Sequence, residues 1–335
     1  MKIKHYNIPV FIPEAACPHR CIFCNQQNIT KQQKQPSISD VITIVERHLA
    51  TIPRDSETEI AFFGGNFTGL PIQQQTAYLQ SVQHFLREGR VSAIRCSTRP
   101  DYISNQTVEL LTSFGVKMVE LGAQSFDDEV LKASGRGHLA EDIERAVEIL
   151  KTYQMPFGLQ MMTGLPSDTP EKSRRTAREI VRLKAENTRI YPCLVIKNTV
   201  LEQLYHNKLY QPQTMEEAVA LCAELVAFFE QHQVKILRVG LHRSEGFDSG
   251  ETLVAGAYHP SFNELVESRL WRIALEKHIH LGASENIRIQ LPKGACGFAA
   301  GHKQCNRKWL EQHFASVRFT ETESLTQRNF HVDYC

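Results

Sequence analysis

No run of about 18 consecutive apolar residues occurs in this 335-residue chain, so an ordinary transmembrane helix is not expected. Neither sign of charge dominates: 38 Lys and Arg stand against 37 Asp and Glu, a formal net charge of +1. No global field therefore draws the protein to nucleic acid or to a membrane, and any polyanion site must be a local patch. The first residues lack the pattern of an export signal, and the nine cysteines are an odd number with no regular spacing along the chain. A disulfide framework is not expected, and a cytoplasmic, reducing setting is. Repeats and low-complexity tracts are missing too, while 42% hydrophobic residues suit a packed core rather than disorder. The length admits two domains or one large α/β barrel.

Against this ordinary background one stretch stands out, Ala16-Cys17-Pro18-His19-Arg20-Cys21-Ile22-Phe23-Cys24-Asn25. Three thiolates within eight residues can converge on one soft metal centre, and thiolates select zinc, copper(I) or iron with sulfide over hard cations. Closed zinc and four-iron sites take four protein ligands, so three leave one position open. The alternative is a zinc loop completed by His19 or a distant cysteine.

The rest of the chain alternates short apolar runs with helical periodicity. Strands are expected at Tyr6 to Ile12, Glu59 to Phe63, Val91 to Ser97, Val116 to Gly122, Phe157 to Met162 and Arg189 to Ile196. Helices are expected between them: from Ser39 as N-cap to about Ile52, then about Ile72 to Arg87, Ser104 to Phe114, Ala140 to Tyr153 and Pro170 to Ala185. Another follows from Met215 to about Gln231, and Val234 to Leu241 reads as one more strand. Regular βα alternation means parallel strands with right-handed crossovers, with chemistry at the carboxyl ends of the strands.

Polar residues cluster where that rule puts a site. Gly64-Gly65-Asn66-Phe67-Thr68 follows the second strand, Ser97-Thr98-Arg99-Pro100-Asp101 the third, and Gly122-Ala123-Gln124-Ser125 the fourth, with Arg136-Gly137-His138 shortly beyond. Gln160 and Gly164-Leu165-Pro166 belong to the fifth. A glycine pair alone is a plain turn; its position at a strand end is what singles it out.

The three-cysteine loop, with an aromatic Phe23 just before its last cysteine, resembles that of the radical S-adenosylmethionine enzymes. The pieces T-R-P-D-Y at Thr98 to Tyr102, E-L-G-x-Q-S at Glu120 to Ser125, R-G-H at Arg136 to His138 and I-Y-P-x-L-V-I at Ile190 to Ile196 resemble the elongator catalytic subunit and its short bacterial relatives. The resemblance implies an α/β fold, a partial (β/α)6 TIM-like barrel of parallel strands with a small α+β C-terminal extension. Residues 1–245 would form the radical domain and 246–335 an extension that could cover substrate. It also implies that Cys17, Cys21 and Cys24 hold a [4Fe-4S] cluster whose fourth iron chelates S-adenosyl-L-methionine. Electron transfer would then yield a 5′-deoxyadenosyl radical that takes hydrogen from substrate, the protein positioning and shielding its cofactors. A reductant such as flavodoxin or ferredoxin is implied.

By the same resemblance the Gly64, Gly65 and Asn66 loop lies against the methionine amino group, where the family has G-G-E, G-G-G or G-G-T. Ser97 sits near ribose or methionine, and Gln124 and Arg136 face the methionine carboxylate or ribose. Gln160 stands where the coproporphyrinogen oxidase branch places an acidic ribose ligand. No glycine-rich acetyl-coenzyme A loop is present and few residues follow 250, so acetyl transfer is not implied.

The tail offers weaker signals. Arg243 to Gly256 reads as a loop over the barrel mouth, and a helix is expected from Ser261 to about Leu275. His259, Glu264 and Glu267 are acid/base candidates, with solvated helix-face residues as the simpler reading. Cys296 and Cys305 flank a histidine as in a second metal site, and His302, Lys303, Arg307 and Lys308 before Trp309 form a basic group that could grip phosphate. Cys96, Cys193 and Cys222 read as buried small hydrophobes. The functional expectation is a radical enzyme acting on a tRNA base; the alternatives are a small metabolite or tetrapyrrole as substrate, or a non-catalytic iron-sulfur carrier or scaffold.

Overall fold

The computed structural model describes residues 4–12, 21–25, 34–243 and 245–335. They divide into two compact units, one of residues up to 213 with 229–257, the other of 214–228 with 258–335.

The first unit is built on a curled sheet of seven parallel strands in the order β1-β2-β3-β4-β5-β6-β8. These are β1 His5–Phe11, β2 Glu57–Phe63, β3 Ala93–Thr98, β4 Val116–Gln124, β5 Phe157–Thr163, β6 Asn187–Pro192 and, after a short β7 Leu194–Ile196, β8 Lys235–Val239. The longer helices between them are α1 Ile38–Leu49, α2 Ile72–Ser81, α3 Asn105–Ser113, α4 Ala140–Thr152 and α5 Pro170–Arg182; α6 Met215–Gln231 precedes β8 in the chain, but its residues up to 228 belong to the second unit. The expected partial barrel is therefore present, and the extra strand read at Val234 to Leu241 joins it as the seventh, paired in parallel with β6.

Alternation within the strands explains how one sheet serves a core and a cavity. Ile60 and Phe62 on β2, Ile94 and Cys96 on β3, Val119 and Leu121 on β4, and Leu159 and Met161 on β5 are all at most 1% exposed. Burying such a side chain contributes about 1.5–3 kcal/mol. Their neighbours along each strand point to the other face, as period two requires, and there Glu59, Arg95, Ser97, Glu120 and Gln160 stand among small and apolar residues.

Local signals set the helix ends. At α1 the N-cap is Ser37, not Ser39: Ser37 Oγ accepts from the Asp40 N–H while Asp40 Oδ2 accepts from the Ser37 N–H at 2.9 Å, a capping box that Ser39 could not close with Asp40 beside it. Thr169 caps α5 ahead of Pro170, whose missing N–H costs nothing at the first helical position. The expected helix from 72 to 87 is interrupted at Val82, after which Gln83–Arg87 resumes.

Two other expectations change. The sixth strand ends at Pro192, and β7 turns away to pair antiparallel with β9 Leu253–Gly256, so the segment read as a loop over the mouth contains a strand. The sequence hid it because four residues, the last a glycine, carry no periodic signal; only the pairing with β7 defines it.

The second unit has its own core. A helix α7 Phe262–His278 contributes Trp271 and Leu275 to a cluster with Ile287, Ile289 and Leu291 of β10 Asn286–Pro292. β10 pairs in parallel with β11 Ser316–Thr322 and antiparallel with β12 His331–Tyr334, a small α+β arrangement.

Candidate active site

The inward strand residues and the loops after the strands enclose a cavity of about 300 Å³. After β2, Gly64 takes φ +106°, and a β-carbon there would stand 2.9 Å from the Ile12 carbonyl oxygen, so glycine alone lets the chain turn this close to β1. Gly64 and Gly65 line the cavity. Asn66 does not: it is fully buried, and its Oδ1 accepts from Thr98 Oγ1 at 2.6 Å and from the Arg99 N–H at 3.2 Å. Its amide therefore ties the loop after β2 to the end of β3 instead of offering an acceptor to the cavity.

Ser97, Gln124, Arg136 and Gln160 all line the same cavity. Gln124 ends β4 in the left-handed region at φ +67°, and Gln160 Nε2 of the neighbouring strand donates to Gln124 Oε1 at 3.2 Å. Arg136, 6% exposed, reaches in from the turn before α4. Its Nη2 donates to the Gly122 carbonyl at 2.6 Å, its Nε to His138 Nε2 at 3.2 Å, and its Nη1 to Cys21 Sγ at 3.2 Å. A guanidinium complements negative charge on that sulfur.

Cys21 and Cys24 lie on the cavity wall. Backbone bonds hold this stretch: Ile22 N–H to Ser134 O, Cys24 N–H to Cys21 O and Leu201 N–H to Ile22 O, while Asn25 Nδ2 donates to Lys197 O. Cys17, like His19 of the zinc alternative, lies outside the described residues.

Behind Arg136, Arg99 holds Asp101 through Nε and Nη2 at 2.9 and 2.8 Å and also donates to the Arg136 carbonyl. His138 is 3% exposed. Burial foremost, and then the charge of Arg136, push its pKa down to about 4, so the ring is neutral and accepts from Arg136 Nε.

Sequence reasoning missed a chain of charges across the inward face. His5 meets Glu59 at 3.1 Å, Glu59 meets Arg95 at 2.9 Å, Arg95 meets Glu120 at 3.1 Å, and Glu120 takes Arg189 Nε and Nη2 at 2.6 and 3.1 Å. The available signal was a charged residue between apolar neighbours, or beside them, at an inward position in each of four strands.

In the second unit, Cys296 N–H donates to Glu321 Oε1, and burial together with that carboxylate raises the Cys296 pKa to about 11. Glu267 is engaged by Arg328 Nη2, and His302 edges onto the His259 ring. Among the described residues no three His, Cys, Asp or Glu side chains gather as a metal site. Cys96, Cys193 and Cys222 are buried, at most 2% exposed, as expected.

The first unit is thus a partial barrel whose cavity brings two loop cysteines, a turn open to close approach and amide and guanidinium donors to one rim. The chain matches the radical SAM superfamily over residues 12–180, just over half its length, and the radical SAM C-terminal domain over 185–272; it belongs to the radical SAM superfamily. It is 25% identical over 300 residues to a tRNA uridine(34) acetyltransferase of Methanocaldococcus infernus, covering 77% of this chain and 55% of that protein. With the protein of the same name from Dehalococcoides mccartyi it shares 27% over 267 residues, 69% of this chain and 58% of that one. The chain thus spans little more than half the length of these relatives. The solved structure of the M. infernus Elp3 with an N-terminal deletion superposes with a TM-score of 0.64 over 82% of this chain and 64% of that one, at 23% identity, a likeness of fold. No described helix is long and apolar enough to cross a membrane.

Proposed function

We propose that the protein is a radical S-adenosylmethionine enzyme whose substrate is a tRNA base, with Cys17, Cys21 and Cys24 as ligands of a [4Fe-4S] cluster. When bound, the cluster and S-adenosylmethionine supply the reductive cleavage that produces a 5′-deoxyadenosyl radical for hydrogen abstraction. The chain's own groups fit that pair. Sulfur donors suit iron with sulfide, and Arg136 offers Cys21 a fixed positive charge. The loop after β2 leaves no β-carbon at Gly64 and Gly65 to obstruct a ligand. Ser97, Gln124 and Gln160 present hydroxyl and amide groups suited to ribose hydroxyls and to an amino acid end. Gln160 is itself held by Gln124, so the two amides act as one unit. Asn66 serves by joining the β2 and β3 ends. Residues 1–245 would do this work and 246–335 extend it; the setting would be cytoplasmic with a flavodoxin or ferredoxin as reductant.

The observation that carries the reading is Cys21 on the wall of the same cavity as Gly64, Gly65, Ser97 and Gln124 at the ends of β2, β3 and β4 and Gln160 within β5. The tRNA base rests on the relatives described as tRNA uridine(34) acetyltransferases. After anaerobic reconstitution, the protein should show a four-iron signal in electron paramagnetic resonance and form 5′-deoxyadenosine, and Cys21→Ala should abolish both. A cluster-loaded protein that forms none, or a Cys21→Ala variant that forms it normally, refutes the proposal. Nucleoside profiling of tRNA from cells with and without the protein tests the substrate.

A further inference from the structure

The cofactor reading uses the rim formed by β2 to β5 and leaves the wall formed by β6 and β8 without a role. That wall is basic. Arg189 and Tyr191 of β6 line the cavity, as does His242 just after β8. Arg238 of β8 is the direct parallel-sheet partner of Arg189, so the two side chains leave the sheet on the same face.

The charges there do not balance. Glu59 and Glu120 already face Arg95 and Arg189, one carboxylate for each guanidinium along the chain. Arg189 is held bidentately by Glu120 and sits 5.2 Å from the Phe63 ring centroid, with its Nη1 3.5 Å from Tyr191 Oη. Arg238 Nε donates to the Gly240 carbonyl at 3.1 Å, and among the described residues no carboxylate pairs with it. Two guanidinium groups in register repel each other, and an anion placed between Arg238, His242 and the Tyr191 hydroxyl removes that repulsion.

We propose that this wall is a phosphate subsite, in which Arg238, with His242 and Tyr191, takes a phosphodiester of a nucleotide substrate while the base lies toward the β2 to β5 rim. The donors come from β6, from β8 and from the stretch after β8, separate points that suit a tetrahedral phosphate; a planar carboxylate is better matched by one guanidinium fork, and Arg189 already fills that role with Glu120. The electrostatics agree: burial and then Arg189 lower the Arg238 pKa against the opposing influence of Tyr191, and His242 is held down by desolvation and by Arg238 and Arg189. The assignment rests on the cavity being the substrate chamber of the proposed enzyme.

The test is direct binding, read by calorimetry, of the dinucleotide uridylyl-(3′→5′)-uridine and of uridine to the full chain. The dinucleotide should bind about tenfold more tightly, as one charge-assisted contact allows. Arg238→Gln should erase that preference while leaving uridine affinity unchanged, and should remove the weakening of dinucleotide binding by added salt. Arg238→Lys should keep part of the preference, which separates lost charge from lost folding. Equal affinity of the wild type for the two probes, or a preference surviving in Arg238→Gln, overturns the subsite. So does competition by acetate as strong as by inorganic phosphate. Because no probe needs S-adenosylmethionine cleavage, a protein that fails to form 5′-deoxyadenosine yet shows the Arg238-dependent preference refutes the enzymatic reading and keeps the subsite.

Discussion

Arg136 donates through Nη1 to the sulfur of Cys21 at 3.2 Å, joining residues 115 positions apart in the chain. The same guanidinium spans Gly122 O and His138 Nε2, so one side chain sets the cysteine loop against the end of β4. Lysine offers its donors from a single point and cannot reproduce that fork. Arg136→Lys is expected to cost on the order of 2 kcal/mol, since a buried hydrogen bond to a charged group contributes about 1.5–3 kcal/mol. It should also weaken S-adenosylmethionine binding to the reconstituted protein at least about tenfold. Thermal unfolding and calorimetry measure the two effects; a variant unchanged in both would show the contact to be incidental.

His138 gives a pH dependence with a definite sign. Its native pKa is about 4 against the ordinary 6.5, so as pH falls through that interval the unfolded chain takes up a proton that the native ring refuses. The stabilisation is complete above 6.5 and is lost toward 4, with about 3 kcal/mol at stake in all. His138→Gln keeps an acceptor for Arg136 Nε and cannot titrate. Urea unfolding at pH 7 and pH 4.5 should show the wild type losing roughly 2 kcal/mol more than the variant. Equal losses would mean that the imidazole is not held neutral.

The two glycines of the rim should fail in different ways. At Gly64 any β-carbon meets the Ile12 carbonyl oxygen at 2.9 Å and the backbone is left-handed, so Gly64→Ala acts on folding, by about 1–2 kcal/mol for the conformation alone. At Gly122 a β-carbon would meet no backbone closely: Gln124 Nε2 at 3.0 Å need give only a few tenths of an ångström, and Arg136 Nη2 at 3.4 Å stays in ordinary contact. Gly122→Ala should leave the melting temperature nearly unchanged and weaken S-adenosylmethionine binding. A reversal, with Gly122→Ala unfolding and Gly64→Ala merely binding less, would contradict the arrangement of the rim.

The partial barrel was legible because each strand's core-facing half is apolar: Ile60 and Phe62, Val119 and Leu121, Leu159 and Met161 mark parallel strands wherever they are met. Polar strand ends were legible for the same reason, since a run that stops at Gly64 or Gln124 advertises its end. What periodicity could not give is pairing across space. Nothing local tells that Arg136 returns to Cys21, that Asn66 spends its amide on Thr98 and Arg99, or that Leu253–Gly256 becomes a strand beside β7. The inward charges were visible singly but not as partners, because Glu59, Arg95, Glu120 and Arg189 lie on four different strands.

Glu120 is the member of that chain whose loss should cost most. It is 5% exposed and receives Arg95 on Oε1 and Arg189 on both oxygens. Glu120→Gln keeps the shape, removes the negative charge and leaves two guanidinium groups facing an amide that can accept on one side only. Breaking a buried pair from one side costs about 3–5 kcal/mol, because the remaining charges stay desolvated without compensation. The double variant Glu120→Gln with Arg189→Gln removes one charge of each sign, restores the balance against Arg95 and Glu59, and should recover part of the loss. Urea unfolding of Glu120→Gln, Arg189→Gln and the double variant gives a coupling energy between positions 120 and 189. A double variant as unstable as the sum of its parts would mean that the ion pair is not what holds β4 to β6 on the inward face.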